Sequence, residues 1–313
     1  MILMFESVYL RTLREGALSG KVEQAREMLK DCHVCPRDCR VNRIEGETGF
    51  CGIGARARVS SANPHFGEES PLVGSGGSGT IFFTSCNLKC VFCQNYEISH
   101  LMEGEEVDGP SLGEIMLGLQ RMGCHNINFV TPSHMVPQIL EAVEWAAENG
   151  LQVPLVYNTG GYDSVETLML LDGVVDIYMP DLKFMDPQIS KEMMDAEDYP
   201  DIVRKAIMEM HRQVGDLQIN DRGIATRGLL VRHLVMPKNL ADTREAMRFL
   251  ASEVSANTYV NIMNQYRPCG RAFDHPDINR SVNRDEYLQA IEAAQQEGIT
   301  RLDERVGFRM RFF

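Results

Sequence analysis

From Thr80 onward, short apolar runs alternate with longer segments in which apolar residues recur every three or four positions. The short runs are typical of buried strands, and the longer segments are typical of amphipathic helices. Six runs are predicted to be strands: 80–84, 126–130, 153–157, 174–179, 228–236 and 258–263. Strands that alternate with helices form parallel sheets, so the pattern predicts an α/β fold, a partial or full βα barrel of about six units. The active site of such a barrel lies in the loops at the carboxyl ends of the strands.

The segments between these runs are predicted to be helices at about 111–122, 135–148, 164–171, 198–213, 241–254 and 284–297. Ser111, with Glu114 three residues later, is expected to be the N-cap of the first of them. Upstream, residues 7–30 carry an apolar stripe that predicts a helix interrupted near Gly16 and Gly20.

The glycine-rich run GSGGSG at 74–79 lies where the pattern changes. Residues 1–72 are expected to form an N-terminal helix, a cysteine-rich knuckle at 31–52 and one or two short strands at 53–72. Residues 73–313 are expected to form the barrel with a C-terminal extension. The run has the glycine spacing of a dinucleotide-binding loop, but it precedes a strand, whereas that fingerprint follows one. A turn or linker is the better interpretation.

Composition narrows the class of protein. The 313 residues are 44% hydrophobic and 24% charged, which is typical of a globular protein. The formal net charge of −13 disfavours nucleic acid as a partner. No segment reaches the ~20 apolar residues needed to cross a bilayer, and the N-terminus lacks the basic start and cleavage site of a signal peptide. We therefore expect a cytoplasmic protein that binds neither nucleic acid nor a membrane.

The cysteines point to metal. Seven of the nine lie between positions 32 and 93. Because the cytoplasm keeps thiols reduced, disulfides are not expected there, and such clustering is typical of metal ligands.

Cys86, Cys90 and Cys93 form a CxxxCxxC motif directly after the first predicted barrel strand. On a tight loop, three thiolates can bind three irons of a 4Fe–4S cluster and leave the fourth iron open for an external ligand. A closed zinc site would need a fourth ligand, and His100 is the candidate. The spacing favours the cluster over zinc and over three unrelated buried thiols.

The stretch CNLKCVFC resembles the radical SAM motif, including an aromatic residue before the last cysteine, here Phe92. The resemblance extends from about Thr80 to about Pro268. Within the superfamily the chain is most similar to the pyruvate formate-lyase-activating-enzyme-related proteins, in CVFCQNYEIS, NINFVTPSH, PLVYNTGGYD, DIYMPDLKF and LLVRHLVMP. The resemblance implies a partial (β/α)6-type radical SAM barrel.

The resemblance also implies the chemistry of an oxidoreductase. S-adenosylmethionine (SAM) would bind the open iron, and one electron from a flavodoxin- or ferredoxin-type protein would cleave it. The resulting 5′-deoxyadenosyl radical would abstract hydrogen from a substrate. That substrate could be a glycyl-radical protein, as for the activating enzymes, or another protein, a peptide or a small molecule. Activases with extra clusters carry the extra cysteines after the SAM motif, whereas here they precede it, so the substrate stays open.

Two loops are candidates for positioning SAM. In relatives, the strand after the cysteine loop ends in Gly-Gly-Glu, which holds the SAM amino group. Here that strand ends in VTPSH at 130–134, so Thr131 and nearby carbonyls are the expected substitutes, and a helix N-cap is the alternative. The next loop is similar to the Asp-Thr-Asn-Gly loop of the activating enzymes. Asn158 and Thr159 would contact ribose hydroxyls there, and Gly160 would let the backbone approach the ligand.

Charged residues follow the later strands. Relatives carry an Asp-x-Lys like Asp181 and Lys183, whose side chains share one face by alternation and could bind the methionine part of SAM or the substrate. The alternative is an exposed ion pair worth ~0–1 kcal/mol. Arg232 and His233 point to opposite faces; the resemblance favours Arg232 as a carboxylate ligand and His233 as a packed side chain. Three further candidate contacts close the last strand: Asn264, Gln265 and Tyr266.

Cys32, Cys35, Cys39 and Cys51 provide four ligands within twenty residues, enough for a closed tetrahedral site. Zinc and an auxiliary iron–sulfur cluster both fit, and reduced thiols with a packing role are the third interpretation. Cys124 and Cys269 stand alone. Two functions therefore compete: a radical SAM enzyme, or a non-catalytic protein that is an iron–sulfur electron carrier or a zinc-stapled binding protein. A carrier needs neither an open iron nor a barrel.

Overall fold

The computed structural model describes residues 5–303. The strands in that range are β1 (Ala57–His65), β2 (Ser78–Phe83), β3 (Glu105–Val107), β4 (Ile127–Val130), β5 (Leu155–Thr159), β6 (Ile177–Pro180), β7 (Gln218–Ile219), β8 (Ala225–Leu234) and β9 (Tyr259–Met263). The α-helices are α1 (Val8–Arg14), α2 (Leu18–Glu27), α3 (Ser70–Val73), α4 (Tyr96–Ser99), α5 (Gly109–Arg121), α6 (Val136–Glu148), α7 (Val165–Leu170), α8 (Pro187–Met194), α9 (Tyr199–Val214), α10 (Thr243–Phe249) and α11 (Arg284–Gln296). A π-helix, Leu250–Val254, continues α10.

Six strands run parallel in the order β2, β4, β5, β6, β8, β9. β1 and β3 extend the sheet antiparallel beyond β2, and β7 pairs antiparallel with the start of β8. Within residues 5–303 no strand pairing joins β9 to β3, so the barrel is open. The predicted α/β fold with six βα units is confirmed as a partial barrel.

Burial follows from this arrangement. β5 and β6 are buried along their whole length, because helices cover one face of the sheet and the barrel core covers the other. This explains why neither strand shows an alternation of apolar and polar residues. Among the helices of residues 5–303, none is long and apolar enough to cross a membrane.

The N-terminal segment packs onto the barrel. α1 and α2 contact α6, and the Asp176 carboxylate accepts hydrogen bonds from the backbone N–H groups of Val8 and Leu155, at 2.9 and 3.0 Å. β1 pairs with β2 across the boundary predicted at residue 72. The division into two domains stays a prediction, and its first four and last ten residues lie outside the described range.

One local prediction was wrong and one helix was missed. Ser111 is not the N-cap of α5: Asp108 is, and its carboxylate accepts from the Ser111 N–H at 3.0 Å. The helix therefore starts earlier than predicted, with Pro110 in its first turn, where the backbone N–H that proline lacks would have no partner within the helix. The one or two short strands predicted at 53–72 are one strand, β1, and the short α3 follows it. The helix α8 was not predicted, although Asp186 caps it and Pro187 begins it.

Candidate functional site

Cys86, Cys90 and Cys93 lie in the loop after β2, at the carboxyl ends of the parallel strands. They line a cavity of about 240 Å³ that opens between the strand ends. The predicted cofactor contacts line the same cavity: Phe92, Thr131, Asn158, Thr159, Gly160, Asp181, Lys183 and Arg232. The fold thus brings together residues from the carboxyl-terminal parts of five parallel strands and the loops that follow them, while their contact with SAM stays a prediction.

The cysteine loop is held in an unusual backbone conformation. Ser85 and Lys89 have φ values of 72° and 48°, in the left-handed region that costs a non-glycine residue about 1–2 kcal/mol. Side-chain hydrogen bonds to the N-terminal knuckle offset this cost. The Ser85 hydroxyl donates to the carbonyl of Cys51, and Lys89 Nζ donates to the carbonyl of Phe50 at 3.0 Å. The two cysteine-rich segments therefore hold each other in place.

Hydrogen-bond donors lie close to two of the three sulfur atoms. The Leu88 N–H lies 3.3 Å from Cys86 Sγ, and the Ser99 hydroxyl lies 3.1 Å from Cys93 Sγ. Burial raises the pKa of the Cys90 thiol well above its usual value. Metal binding requires the thiolate form of a cysteine, which burial by itself disfavours at this position.

The surroundings of His100 bear on whether these three thiols form a closed zinc site. Within residues 5–303, no group of three or more His, Cys, Asp or Glu side chains is arranged to hold a metal ion. His100, the candidate fourth zinc ligand, has both ring nitrogens engaged, with the Ser99 hydroxyl at 2.8 Å and the Lys89 carbonyl at 3.2 Å.

Phe92 forms one wall of the loop. Its side chain is buried and packs edge-on against Phe184 and Tyr266, with ring centroids 5.7 and 6.2 Å away. Tyr266 is thus a packing residue whose hydroxyl donates to the carbonyl of Ile278 at 2.6 Å. Of the two residues that precede Tyr266, Gln265 lines the cavity and Asn264 does not.

Thr131 has a φ of 61°, and its N–H donates to the Asn158 carbonyl at 2.9 Å. The alternative interpretation of residues 131–133 as a helix N-cap is wrong, because Met135 is the N-cap residue of α6. Ser133 instead bonds the Thr159 hydroxyl at 2.9 Å. Thr131 lines the cavity in a strained conformation that is more common at functional sites than elsewhere.

The loop after β5 is organised by a buried carboxylate that sequence reasoning missed. Asp163 accepts from the hydroxyls of Thr159 and Tyr157, at 2.6 and 2.9 Å. Burial raises the pKa of the Asp163 carboxyl. The Thr159 hydroxyl also accepts from the Gly161 N–H at 3.2 Å, so it holds the loop together. The only sequence signal was an acidic residue two positions after a pair of glycines.

Asp181, Lys183 and Arg232 form a connected charge network. Arg232 Nε donates to Asp181 Oδ1 at 2.7 Å, and Lys183 Nζ donates to Oδ2. The three side chains are only 16–19% exposed, so the predicted alternative of a solvent-exposed pair is wrong. Burial alone would raise the pKa of the Asp181 carboxyl, but Arg232 and Lys183 together hold it below its usual value. Asp181 thus lies between two cations beside the cavity, and the carboxyl groups of Glu69 and Glu68 are also near enough to Arg232 to act on it electrostatically.

His233, on the opposite face of β8, is fully buried. Its Nδ1 lies 2.7 Å from the Leu182 carbonyl and its Nε2 lies 3.0 Å from the Thr243 hydroxyl. Burial lowers the pKa of His233 to about 4. Its predicted role as a packed, hydrogen-bonded histidine is confirmed.

The four N-terminal cysteines line a second, smaller cavity, which Asn87 and His134 also line. A Cβ on Gly49 would lie 2.6 Å from Cys39 Sγ, so glycine is required for that sulfur to reach its position. Cys124 is buried and Cys269 is half-buried, and neither lines this cavity or the larger one.

Of the similarities to known proteins, the one to HydG supports the fold. No family model matches the chain. HydG, a maturase of the [FeFe]-hydrogenase, superposes with a TM-score of 0.50 at 12% identity over 92% of this chain and 56% of HydG, so the chain spans about half of HydG. Methylornithine synthase (PylB) matches with a TM-score of 0.47 at 12% identity, over 94% of this chain and 75% of PylB. The radical S-adenosylmethionine methyltransferase TsrM from Kitasatospora setae, solved with cobalamin and a [4Fe-4S] cluster, matches at 0.40 and 15% identity, over 60% of this chain and 36% of TsrM.

One sequence relative is close enough to define a family. The uncharacterized protein MJ0674 of Methanocaldococcus jannaschii is 35% identical over 295 residues, which are 92% of this chain and 81% of that protein. The chain therefore belongs to the same protein family as MJ0674.

Proposed function

We propose that this protein is a radical SAM enzyme, in which Cys86, Cys90 and Cys93 hold a 4Fe–4S cluster and SAM binds in the adjoining cavity. The observation that carries the proposal is the combination of three thiols, a candidate fourth ligand, His100, whose ring nitrogens are both engaged elsewhere, and a cavity at the carboxyl ends of the strands. A structural metal site would be closed by a fourth ligand. Three thiols beside an open cavity leave one position for a small molecule.

When bound, these cofactors supply a 5′-deoxyadenosyl radical that takes a hydrogen atom from the substrate. The chain's own residues position the small molecule. Lys183 and Arg232 present positive charge to the SAM carboxylate, and Asp181 fixes the direction of both side chains. Thr131 and Asn158 offer polar groups on the neighbouring strand ends. Thr159 acts as a positioning residue, because its hydroxyl is committed to Asp163.

The apolar side of the cavity would protect a reactive radical. Leu88 and Phe92 are almost fully buried, at 1% and 5% exposure, and both line the cavity. An apolar surface that excludes water prevents side reactions and holds the reacting groups in place. We propose that the electron comes from a flavodoxin- or ferredoxin-type protein.

The substrate is a protein, a peptide or a small molecule. A glycyl-radical protein is the first candidate to test, because the sequence resembles the activating-enzyme-related proteins. The N-terminal position of the second cysteine group differs from that of activases with extra clusters, so peptides and small molecules belong in the same screen. Transfer of deuterium from a labelled candidate into 5′-deoxyadenosine would identify the substrate.

The cleavage reaction tests the proposal directly. The protein is reconstituted anaerobically with iron and sulfide, then given dithionite and SAM, and 5′-deoxyadenosine is quantified. We expect product from the wild type and from Cys124→Ala, a control that removes a buried thiol outside both cavities, and none from Cys86→Ala. A fully loaded wild type that forms no product, or a Cys86→Ala variant equal to it, would leave the non-catalytic carrier as the function.

A further inference from the structure

The segment from Cys86 to Cys90 presents alternate residues to two different parts of the molecule. Three of its residues line the larger cavity: Cys86, Leu88 and Cys90. The two residues between them do not, and they contact the N-terminal knuckle, residues 31–52. Asn87 lines the cavity of the four N-terminal cysteines, and Lys89 Nζ donates to the Phe50 carbonyl at 3.0 Å. The position of the cysteines therefore depends on contacts made by the opposite face of the same segment.

Arg37, a residue of the knuckle, donates three hydrogen bonds to main-chain carbonyls. Its Nε donates to the Asn87 carbonyl at 2.8 Å, and its Nη1 and Nη2 donate to the carbonyls of Asp195 and Met194. Met194 is the last residue of α8 and Asp195 is its C-cap. Carbonyl groups at this end of a helix lack partners within the helix, and a cation is favourable there. The planar guanidinium therefore ties the cysteine loop to the end of α8.

Asn87 connects Arg37 to the loop after β5. Asn87 is 2% exposed, and its Nδ2 donates to the Tyr162 carbonyl at 2.7 Å. Tyr162 belongs to the loop after β5, whose Gly160 lines the larger cavity. A shift of Asn87 would leave buried polar groups unpaired, which is costly. Asn87 therefore holds the cysteine loop and the loop after β5 in fixed relative positions.

Two aromatic rings fix the guanidinium of Arg37. Its Cζ lies 3.9 Å from the centroid of the Phe50 ring and 5.3 Å from that of the Tyr162 ring. At these distances a cation is attracted to the face of a ring. A lysine would keep the charge, but its ammonium cannot reproduce a planar fork that serves three carbonyls and packs on rings. The contacts of Arg37 therefore require arginine.

We propose that Arg37 is a positioning residue for the cluster-binding cysteines and that it acts through Asn87. Arg37 lines the smaller cavity and not the larger one, so its effect on the larger cavity is indirect. It holds the Cys86–Cys90 segment in the conformation that places the cysteines along the larger cavity. Lys89 in this segment has a φ of 48°, a strained conformation that persists only where surrounding contacts enforce it. The inference rests on the proposed function, since it takes these cysteines as the ligands of the cluster that binds SAM.

The retention of iron tests this role without SAM. Each protein is reconstituted anaerobically with iron and sulfide, and the release of iron to a chelator is followed over time. The same measurement on the variant Cys86→Ala/Cys90→Ala/Cys93→Ala gives the iron held elsewhere, which is subtracted. We expect Arg37→Met to release iron about tenfold faster than the wild type, because the Asn87 carbonyl loses a charged hydrogen-bond donor. Equal rates would overturn the proposal.

Two further variants set the scale of the effect. Arg37→Lys should release iron at an intermediate rate, because it keeps the charge and loses the fork. Arg40→Met is the control and should match the wild type, because the Arg40 side chain is 55% exposed and paired with Asp31 and Asp38. Equal increases for Arg37→Met and Arg40→Met would overturn the proposal. If Arg37→Met does not fold, the lysine variant decides, and a release rate equal to that of the wild type would overturn it.

The response to SAM separates positioning from a general loss of stability. The electron paramagnetic resonance spectrum of the reduced cluster is recorded as SAM is added, at equal cluster content. We expect Arg37→Met to need about tenfold more SAM for the same spectral change, because small displacements of positioning groups are costly, and Arg40→Met to match the wild type. Faster iron release with an unchanged SAM response would show a purely structural residue and refute the assignment. A wild type that retains iron at the three cysteines but does not respond to SAM would refute the proposed function instead, while the iron-release test of Arg37 would still hold.

Discussion

At Gly161, the backbone of the loop after β5 lies in close contact with the loop after β6. Its φ is +81°, and a Cβ there would lie 2.5 Å from the Asp181 carbonyl oxygen and 2.7 Å from Val203 Cγ2. The same carbonyl accepts a hydrogen bond from the Tyr199 hydroxyl at 2.8 Å. We predict that Gly161→Ala displaces the Asp181 backbone and so disturbs the charge network around the cavity.

The magnitude follows from two contributions. Alanine in the left-handed region costs about 1–2 kcal/mol, and overpacking against a carbonyl and a buried side chain adds about 1–3 kcal/mol. The lower entropy of the unfolded alanine variant offsets about 0.4–1 kcal/mol. The net loss for Gly161→Ala is about 2–4 kcal/mol, which lowers the melting temperature by about 4–8 °C in a chain of this size.

Gly123 provides the matched control, since its φ is +88° but a Cβ there would meet nothing within 4 Å. Gly123→Ala should therefore lose about 1 kcal/mol, the conformational penalty alone. The assay compares the melting temperatures of both variants at equal iron content, then their rates of 5′-deoxyadenosine formation. We expect the rate to fall about 10–100-fold only for Gly161→Ala, because small displacements of positioning groups are costly. Equal losses of stability and activity would show that the close approach to Asp181 is unimportant.

Three further changes test other parts of the structure. Gly49→Ala should abolish metal binding by the N-terminal cysteines, measured as total zinc and iron in a Cys86→Ala/Cys90→Ala/Cys93→Ala background, because its Cβ would lie 2.6 Å from Cys39 Sγ, whereas Gly54→Ala, with open space around it, should not; equal metal content would contradict this. Asp181→Asn should cost about 2–3 kcal/mol of stability in thermal unfolding, because it removes the carboxylate that two partly buried cations share, and an unchanged melting temperature would argue against the network. The pKa of the Glu286 carboxyl is lowered from 4.5 to about 2 by its hydrogen bond from Arg280, so its contribution is present above pH 4.5 and is lost as the pH falls toward 2. Glu286→Gln should therefore show a weaker loss of stability over that pH range than the wild type, and parallel pH profiles would be the contrary result.

Much of the architecture could be predicted from local patterns. The spacing of apolar residues predicts the order of strands and helices. A parallel strand buried on both faces needs a continuous apolar run, and a helix that covers the sheet needs an apolar stripe along one side. The three cysteines after β2 were also visible, since their ligand geometry depends on a separation of only a few residues. The errors lie where local signals compete. Both Asp108 and Ser111 can cap a helix, and Asp108 is the residue that does so in the fold.

The order of the elements and the two groups of cysteines could therefore be predicted along the chain. Which side chains share a site depends on the folded structure. The fold pairs Asp181 with Arg232, 51 positions away, and commits the Thr159 hydroxyl to Asp163 and Ser133. It also buries Arg43 beside the four N-terminal cysteines. The physical reason is that burial and distance decide whether a charge is neutralised by the chain or kept for a ligand, and neither quantity can be read from spacing along the sequence.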